Sequence, residues 1–349
     1  MKPSRFFALA VALLLAAACG KDDSSAPTQG DTTLEKREFR YLGAPGYVDL
    51  LELAADLGYL EPLKLDYVGI SLGGPQGIQT LLSGDTDISS SSFNSAIVKV
   101  VASGAPVTAV IASYGYDTPE DAFLAQGGYF VREDGPIHGP RDLIGKKIAV
   151  NALGAQAELF LSEYMRRGGL SKEEIRQVEL IVIPPISMEQ TLRQGQVDVA
   201  QLYWSPSGSG LRKLFSTTDL YQHFTAGSYV MSNRYLRENP NTARHVLGGV
   251  ARAIEWARST PREQVLERFR QIIARRGRNE DDRLLHFWTG FGIPARNGAL
   301  KDEDYQIWLD WLVEDGQIEA GTVDLKKVYT NAFNPFAQAA SGDEAKGAP

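Results

Sequence analysis

The stretch Asp142–Arg167, DLIGKKIAVNALGAQAELFLSEYMRR, holds the three parts of an α/β unit in order. Lys147–Val150 is a short β-prone run, and Asn151–Gln156 (NALGAQ) is a loop of small residues. Gln156–Arg167 then sets Leu159, Phe160, Tyr164 and Met165 on one side of a helix that stops at Gly168-Gly169. A strand that turns at once into an amphipathic helix covers one face of its sheet with that helix, as parallel sheets require.

The same alternation extends outward in both directions. Strands are expected at Glu38–Leu42, Leu63–Val68, Val107–Ala112 and Val178–Val182, and a helix at Tyr47–Leu57 that buries Leu50, Leu51, Leu53 and Ala54 and ends at Gly58. The later part turns helical, over Thr242–Arg258, Arg262–Arg275, Asp281–Phe291 and Lys301–Glu314. This is an α/β chain with largely parallel sheets. Two similar β runs, GGYFV at Gly127–Val131 and GSYVM at Gly227–Met231, fit a pair of hinge strands lying side by side, and they equally fit two unrelated strands.

The ends have a different character. Met1–Gly20, MKPSRFFALAVALLLAAACG, has a basic start at Lys2 and Arg5, an apolar run Phe6–Leu15 too short to span a bilayer, and small residues leading to Cys19. It is similar to a bacterial lipoprotein signal: residues 1–18 would be removed and Cys19 would carry the lipid, anchoring an exported, periplasmic or cell-surface protein to the bilayer. An ordinary secretory signal is the alternative, since Ala16 stands where such signals usually have Leu. Cys19 is the only cysteine, which excludes an intramolecular disulfide and a zinc site built on several thiolates. Residues 19–36 read as a polar flexible tether and 337–349 as a disordered tail. Between them lie roughly 300 residues, enough for two lobes. The formal charge of −7 becomes −9 once Lys2 and Arg5 are removed, which argues against nucleic acid or an anionic membrane surface as partner.

Several motifs in order resemble the nitrate, sulfonate and taurine family of ABC-transporter substrate-binding proteins. They are Gly46-Tyr47 through Gly58-Tyr59, SGDTDI at Ser83–Ile88, KVVASGAP at Lys99–Pro106, DLIGKKIAV at Asp142–Val150, and QGQVDVA at Gln194–Ala200. Trp204-Ser205-Pro206, Glu238-Asn239-Pro240 and YTNAFNP at Tyr329–Pro335 follow. The resemblance covers about Arg37–Phe336 and implies a two-lobe type II periplasmic-binding-protein fold, a clamshell with hinge crossover strands. Lobe 1 would be 37–131 with 227–336 and lobe 2 would be 132–226. It further implies a monomer that clamps a small organic solute, is not an enzyme, needs no cofactor, and delivers to a permease and its ATPase.

Three loops qualify as ligand contacts because helix N-termini offer unpaired N–H groups. Ala44–Tyr47 brings Tyr47, and Ser89–Asn94, read as a hydroxyl-rich turn opening a helix at Phe93–Ala102, brings Ser91, Ser92, Phe93 and Asn94. Asn151–Gln156 brings Gly154, Ala155 and Gln156; the family usually has a Gly-Ser/Thr pair there, so the hydroxyl is missing and Gln156 or bare backbone must serve. Tyr203 and Trp204 add stacking surface. None of the three loops contains Lys or Arg, so an organic body held by apolar contact and a few hydrogen bonds is the expected ligand.

Other function classes fit less well. Gly69-Ile70-Ser71-Leu72-Gly73 matches the G-x-S-x-G nucleophile elbow, but only Arg37–Gly69 precede Ser71, too little for the strands a hydrolase places before its nucleophile. Neither His138, His223, His245 nor His286 sits in a telling motif. GPRDLIGKK at Gly139–Lys147 fails as a phosphate loop, and no metal-binding run occurs. Binding of a thiamine-type pyrimidine or another heterocyclic precursor, and a tethered sensor using the same clamshell, both remain open.

Overall fold

The computed structural model describes residues 33–71, 75–117, 127–154, 156–203, 206–221 and 223–337, without the side chains of Pro75, Ser91 and Phe287. The signal 1–18, Cys19, most of the tether and all of the tail but Ala337 lie outside the described residues. The chain divides into Met1–Thr33 and Leu34–Pro349, and everything below concerns the second part. Its body begins earlier than Arg37. Glu35 accepts from the N–H groups of Asn241 and Thr242 and from the Thr242 hydroxyl, so the last residues assigned to the tether are docked on a helix start. Burial works against ionisation of Glu35, but these amides outweigh it and hold its pKa below the usual range.

Strands β1 (Glu38–Gly43) and β2 (Lys64–Ile70) pair in parallel, with α1 (Leu50–Asp56) crossing between them. The helix starts three residues later than Tyr47 because Asp49 is its N-cap, accepting from Glu52 N–H at 2.9 Å. After α2 (Pro75–Ser83), residues Ser89–Phe93 form strand β3, where the sequence had suggested a turn. Helix α3 (Asn94–Ala102) and strand β4 (Val107–Tyr116) follow. β4 runs four residues beyond the expected Ala112, since Tyr114, Gly115 and Tyr116 pair with the returning chain.

The described strands form three sheets: the small β1–β2 pair and two larger ones, the first built on β3 and β4 and the second five-stranded in the order β7-β6-β8-β5-β9, made from β5 (Gly128–Arg132), β6 (Lys147–Val150), β7 (Glu179–Val182), β8 (Val199–Leu202) and β9 (Leu211–Phe215). Helices α4 (Gln156–Arg167), α5 (Lys172–Ile175) and α6 (Pro185–Arg193) connect its strands. The strands β7, β6 and β8 are parallel, whereas β5 runs antiparallel to β8 and β9, so the sheet is mixed. The chain returns through β10 (Phe224–Ser232), which lies between β3 and β4 and is antiparallel to both. Helices α7 (Asn233–Glu238), α8 (Pro240–Ser259), α9 (Arg262–Arg276) and α10 (Glu303–Glu314) complete it. Asp281–Phe291 is not the expected helix: only Arg283–Phe287 coil, as a 3-10 turn, and Gly290 and Gly292 in positive φ follow.

The two β runs expected side by side belong to different sheets. Gly128–Arg132 is an interior strand of the second sheet, and the strand that accompanies β10 is β4, with Tyr116 opposite Phe224. The second sheet therefore takes in residues before 132, and Phe224–Thr225 already belong to the first. Similar apolar composition made the two runs look like partners, although partnership is set by register and not by composition.

Side chains of α4 join the two sheets. Phe160 packs edge-on against Tyr116 and Phe224 and at a tilt against Trp308 of α10, and all four rings are buried in one continuous apolar core. Among the described residues, no helix is long and apolar enough to cross a membrane.

Candidate functional site

Strand β4 puts Tyr114 and Tyr116 on the same face by its period of two, and that face meets the start of α4. Gln156, only 5% exposed, donates from Nε2 to the Tyr116 hydroxyl at 2.6 Å and accepts from the Tyr114 hydroxyl at 3.3 Å. One amide thus bridges the two sheets. Tyr129 of β5 donates to Ala157 O, which ties the second sheet to the same helix start. Phe93 stands edge-on to Tyr114 at 6.0 Å. Gly227 of β10 leaves room for the Tyr114 ring: a Cβ there would come within 2.1 Å of it.

The phenols of Tyr47 and Tyr203 are near enough to act electrostatically on that of Tyr114. Burial is the main cause that pushes Tyr114 well up, and the neighbouring phenols of Tyr116, Tyr203 and Tyr47 add to it. Tyr47, Tyr116, Tyr129 and Tyr203 are likewise raised by burial, so all are neutral hydroxyls that both donate and accept.

The loop Ala44–Tyr47 is fixed from behind by the end of α9. The Arg276 guanidinium, 8% exposed, pairs with Glu52 and Glu280 and donates to Tyr47 O at 2.9 Å. Glu280 in turn accepts from Gly46 N–H at 2.6 Å, and Arg278 donates to Glu52 at 2.9 Å. Beside this network, burial and the Glu52 charge push Asp49 up to about 7, although the Glu52 amide and the Ser90 hydroxyl oppose the shift.

The residues expected from sequence are distributed unevenly. Phe93 and Gln156 contact Tyr114 or Tyr116, and the phenols of Tyr47 and Tyr203 act on them electrostatically. Ser92 is fully buried and shares a hydrogen bond with the Ser89 hydroxyl. Asn94, also fully buried, donates to Thr225 O and Asp304 O and accepts from the Ser228 hydroxyl, so its amide holds α3, β10 and α10 together. Gly154 presents its N–H to Glu158 Oε2 at 2.7 Å, and a Cβ on it would lie 3.0 Å from Lys99 Nζ. Ala155, Trp204 and Cys19 lie outside the described residues, as does the side chain of Ser91. Sequence reading missed Tyr114, Tyr116, Tyr129 and Glu158; the alternating Tyr-Gly-Tyr after Ser113 was the available signal for the first two.

Ser71 N–H donates to Gly43 O at 2.9 Å, continuing the β1–β2 ladder, while His138, His223 and His245 face Arg212, Asp117 and Leu60 O. Among the described residues, no group of three or more His, Cys, Asp or Glu side chains is placed to hold a metal ion. Cavities of about 280 Å3, between α4, α5 and α10, and about 240 Å3, lined by Asp117, Arg258 and Trp288 among others, lie apart from the tyrosine cluster.

No curated protein matches the chain. Among solved structures, the periplasmic aliphatic sulphonate binding protein SsuA from Escherichia coli is similar over 84% of this chain and 92% of its own, at 21% identity and a TM-score of 0.62. The periplasmic nitrate-binding protein NrtA from Synechocystis PCC 6803 is similar over 90% and 91%, at 14% identity and a TM-score of 0.62. The desulfurization enzyme DSZB is similar over 88% and 100%, at 15% identity and a TM-score of 0.56. These likenesses show the two-lobe fold of periplasmic binding proteins. The family model described as "NMT1/THI5 like" matches residues 51–264, more than half of the chain, and the chain belongs to that family.

Proposed function

We propose that this protein is the exported solute-binding component of an ABC importer, a monomer that closes two lobes on a small organic solute and presents it to a permease and its ATPase. Lobe 1 comprises β1–β4 with β10–α10, and lobe 2 comprises β5–β9. The observation that carries the reading is the tyrosine cluster at the sheet junction, with Gln156 of α4 reaching Tyr114 and Tyr116 of β4. A site assembled from both lobes is completed only when they meet, which couples binding to closure. Its walls are aromatic with neutral hydroxyls, suited to a flat organic body. The fold shared with SsuA and NrtA supports binding and delivery. Cys19 carries the lipid that holds the protein to the membrane.

Small-angle scattering with and without solute tests the clamp: the radius of gyration is expected to fall at saturation, and identical curves at saturation refute it. Cys19→Ser tests the anchor. The variant is expected in the soluble fraction with an unchanged melting temperature, and retention in the membrane fraction refutes lipidation at Cys19.

A further inference from the structure

Beside the end of β4, the segment Trp288–Ile293 is held by a hydrogen bond from Gly115 N–H to Phe291 O at 3.0 Å. Between this segment, the end of α8 and the start of α9 lies the cavity of about 240 Å3, at the point where the chain leaves β4 through Asp117. It is smaller than the roughly 300–1,000 Å3 of a site for a drug-sized organic molecule, so a small ligand fits it better than the solute of the cleft does.

The polar groups around the cavity are mostly donors. Trp288 is 3% exposed, and its indole N–H, which can only donate, has no acceptor among the described residues. The buried hydroxyl of Thr289 beside it has no partner among them either. Two guanidiniums line the same space. Arg258 donates to Ile293 O at 2.6 Å and Ala295 O at 3.3 Å, while its carboxylate neighbours Asp117 and Glu255 stay at 3.6 and 3.7 Å. Arg262 donates to Trp288 O at 2.8 Å and His286 O at 3.1 Å, and its ion-pair partner Glu263 is 74% exposed, where water screens the pair. Carbonyls thus position the two cations without neutralising them. Among the described residues, Asp117 is the one carboxylate lining the cavity, and it also faces His223 Nδ1 at 3.2 Å.

We propose that this cavity is a second binding site, separate from the interlobe cleft, for a small oxyanion of the sulfate or phosphate type. Such an anion has acceptors for all four groups: its charge is met by Arg258 and Arg262, and its remaining oxygens accept from the Trp288 indole and the Thr289 hydroxyl. Filling the site relieves the cost of two buried donors left unpaired.

The test is isothermal titration of the full chain with sodium sulfate and sodium phosphate at constant ionic strength, for the wild type, Thr289→Val and Trp288→Phe. Thr289→Val exchanges the hydroxyl for a methyl of similar size, and Trp288→Phe keeps an aromatic ring without the N–H. Arg283→Gln is the control, since that side chain is 85% exposed, pairs with Asp281 and is not part of the cavity wall. The wild type is expected to bind one anion with a Kd below about 1 mM. Both cavity variants are expected to bind it at least about fivefold more weakly, and the control within about twofold of the wild type. Thr289→Val preserves the packed volume, so it carries the test if Trp288→Phe fails to fold. Absence of saturable binding of either anion, a smaller loss in a folded cavity variant, or the same loss in the control overturns the proposal. Anion binding that survives both cavity substitutions overturns this site alone, because the scattering experiment judges the clamp independently.

Discussion

Gln156→Leu is the sharpest test of whether the tyrosine junction is a clamp or a fixed part of the core. The substitution keeps the side-chain length near that of Gln and removes the amide that donates to Tyr116 and accepts from Tyr114. Tyr116 retains a contact with the Thr217 hydroxyl, whereas the Tyr114 bond is long, so the loss is two hydrogen bonds of unequal quality with one phenol left short of a partner. At roughly 0.5–1.5 kcal/mol net per bond, the cost is about 1–3 kcal/mol. If the bonds exist only in the closed arrangement, that cost falls on closure, and solute affinity drops about 5- to 150-fold while the unliganded melting temperature holds. Calorimetric titration and a thermal melt of the same preparation read the two quantities separately. An unchanged affinity refutes the clamp role; a melting temperature lowered by the full amount without solute shows that Gln156 belongs to a permanent core.

The remaining predictions concern stability and the site's walls. Asp49 has a folded pKa raised to about 7, so its contribution is present below the carboxylate range of the unfolded chain and is lost as pH rises through 7. Asp49→Asn keeps an N-cap acceptor without the charge, and is expected to raise the melting temperature at pH 8 and leave it little changed at pH 4; a drop at pH 8 refutes the assignment. Asp87 is 2% exposed, and although burial opposes ionisation, Arg40 and Lys36 hold its pKa below the usual value. Its stabilisation is therefore present above the unfolded carboxylate range and is lost as pH falls through the depressed folded value, so Asp87→Asn is expected to cost about 1.5–3 kcal/mol at pH 7 and much less in acid, read by urea titration at both pH values. Gly227→Ala places a methyl against the Tyr114 ring and is expected to weaken solute binding at least tenfold, with the ring's displacement seen in a crystal structure; wild-type affinity would show that Tyr114 lies outside the site.

The α/β character and most element positions were legible because they rest on local pattern. Lys147–Val150 and Gln156–Arg167 match their observed bounds, as apolar periodicity and the Gly168-Gly169 stop are properties of consecutive residues. What failed was non-local. The serine run Ser89–Ser92 looks like a turn by composition, yet it pairs with β10, which supplies the hydrogen bonds that overrule its weak strand propensity. Likewise Gly127–Val131 and Gly227–Met231 look alike, and nothing within either run says which sheet will accept it.

The site shows the same division, and its most informative residue lay in a stretch already singled out. The sequence shows that Gly154-Ala155 lacks the hydroxyl found in the related family, leaving Gln156 or bare backbone to meet a ligand. Folding gives these two groups separate tasks: the bare amide of Gly154 goes to Glu158, and Gln156 goes to the tyrosines of the opposite sheet. A glutamate at the third position of a helix is a common capping choice, so local rules assign it to helix stability alone. Only the tertiary arrangement brings that cap near enough to Tyr129 to act on its phenol. The cap can be tested by itself: Glu158→Gln keeps an acceptor for the Gly154 N–H through its amide oxygen and should hold the melting temperature, whereas Glu158→Ala removes that acceptor and should cost about 0.5–1.5 kcal/mol, and equal melting temperatures for the two variants would refute the cap.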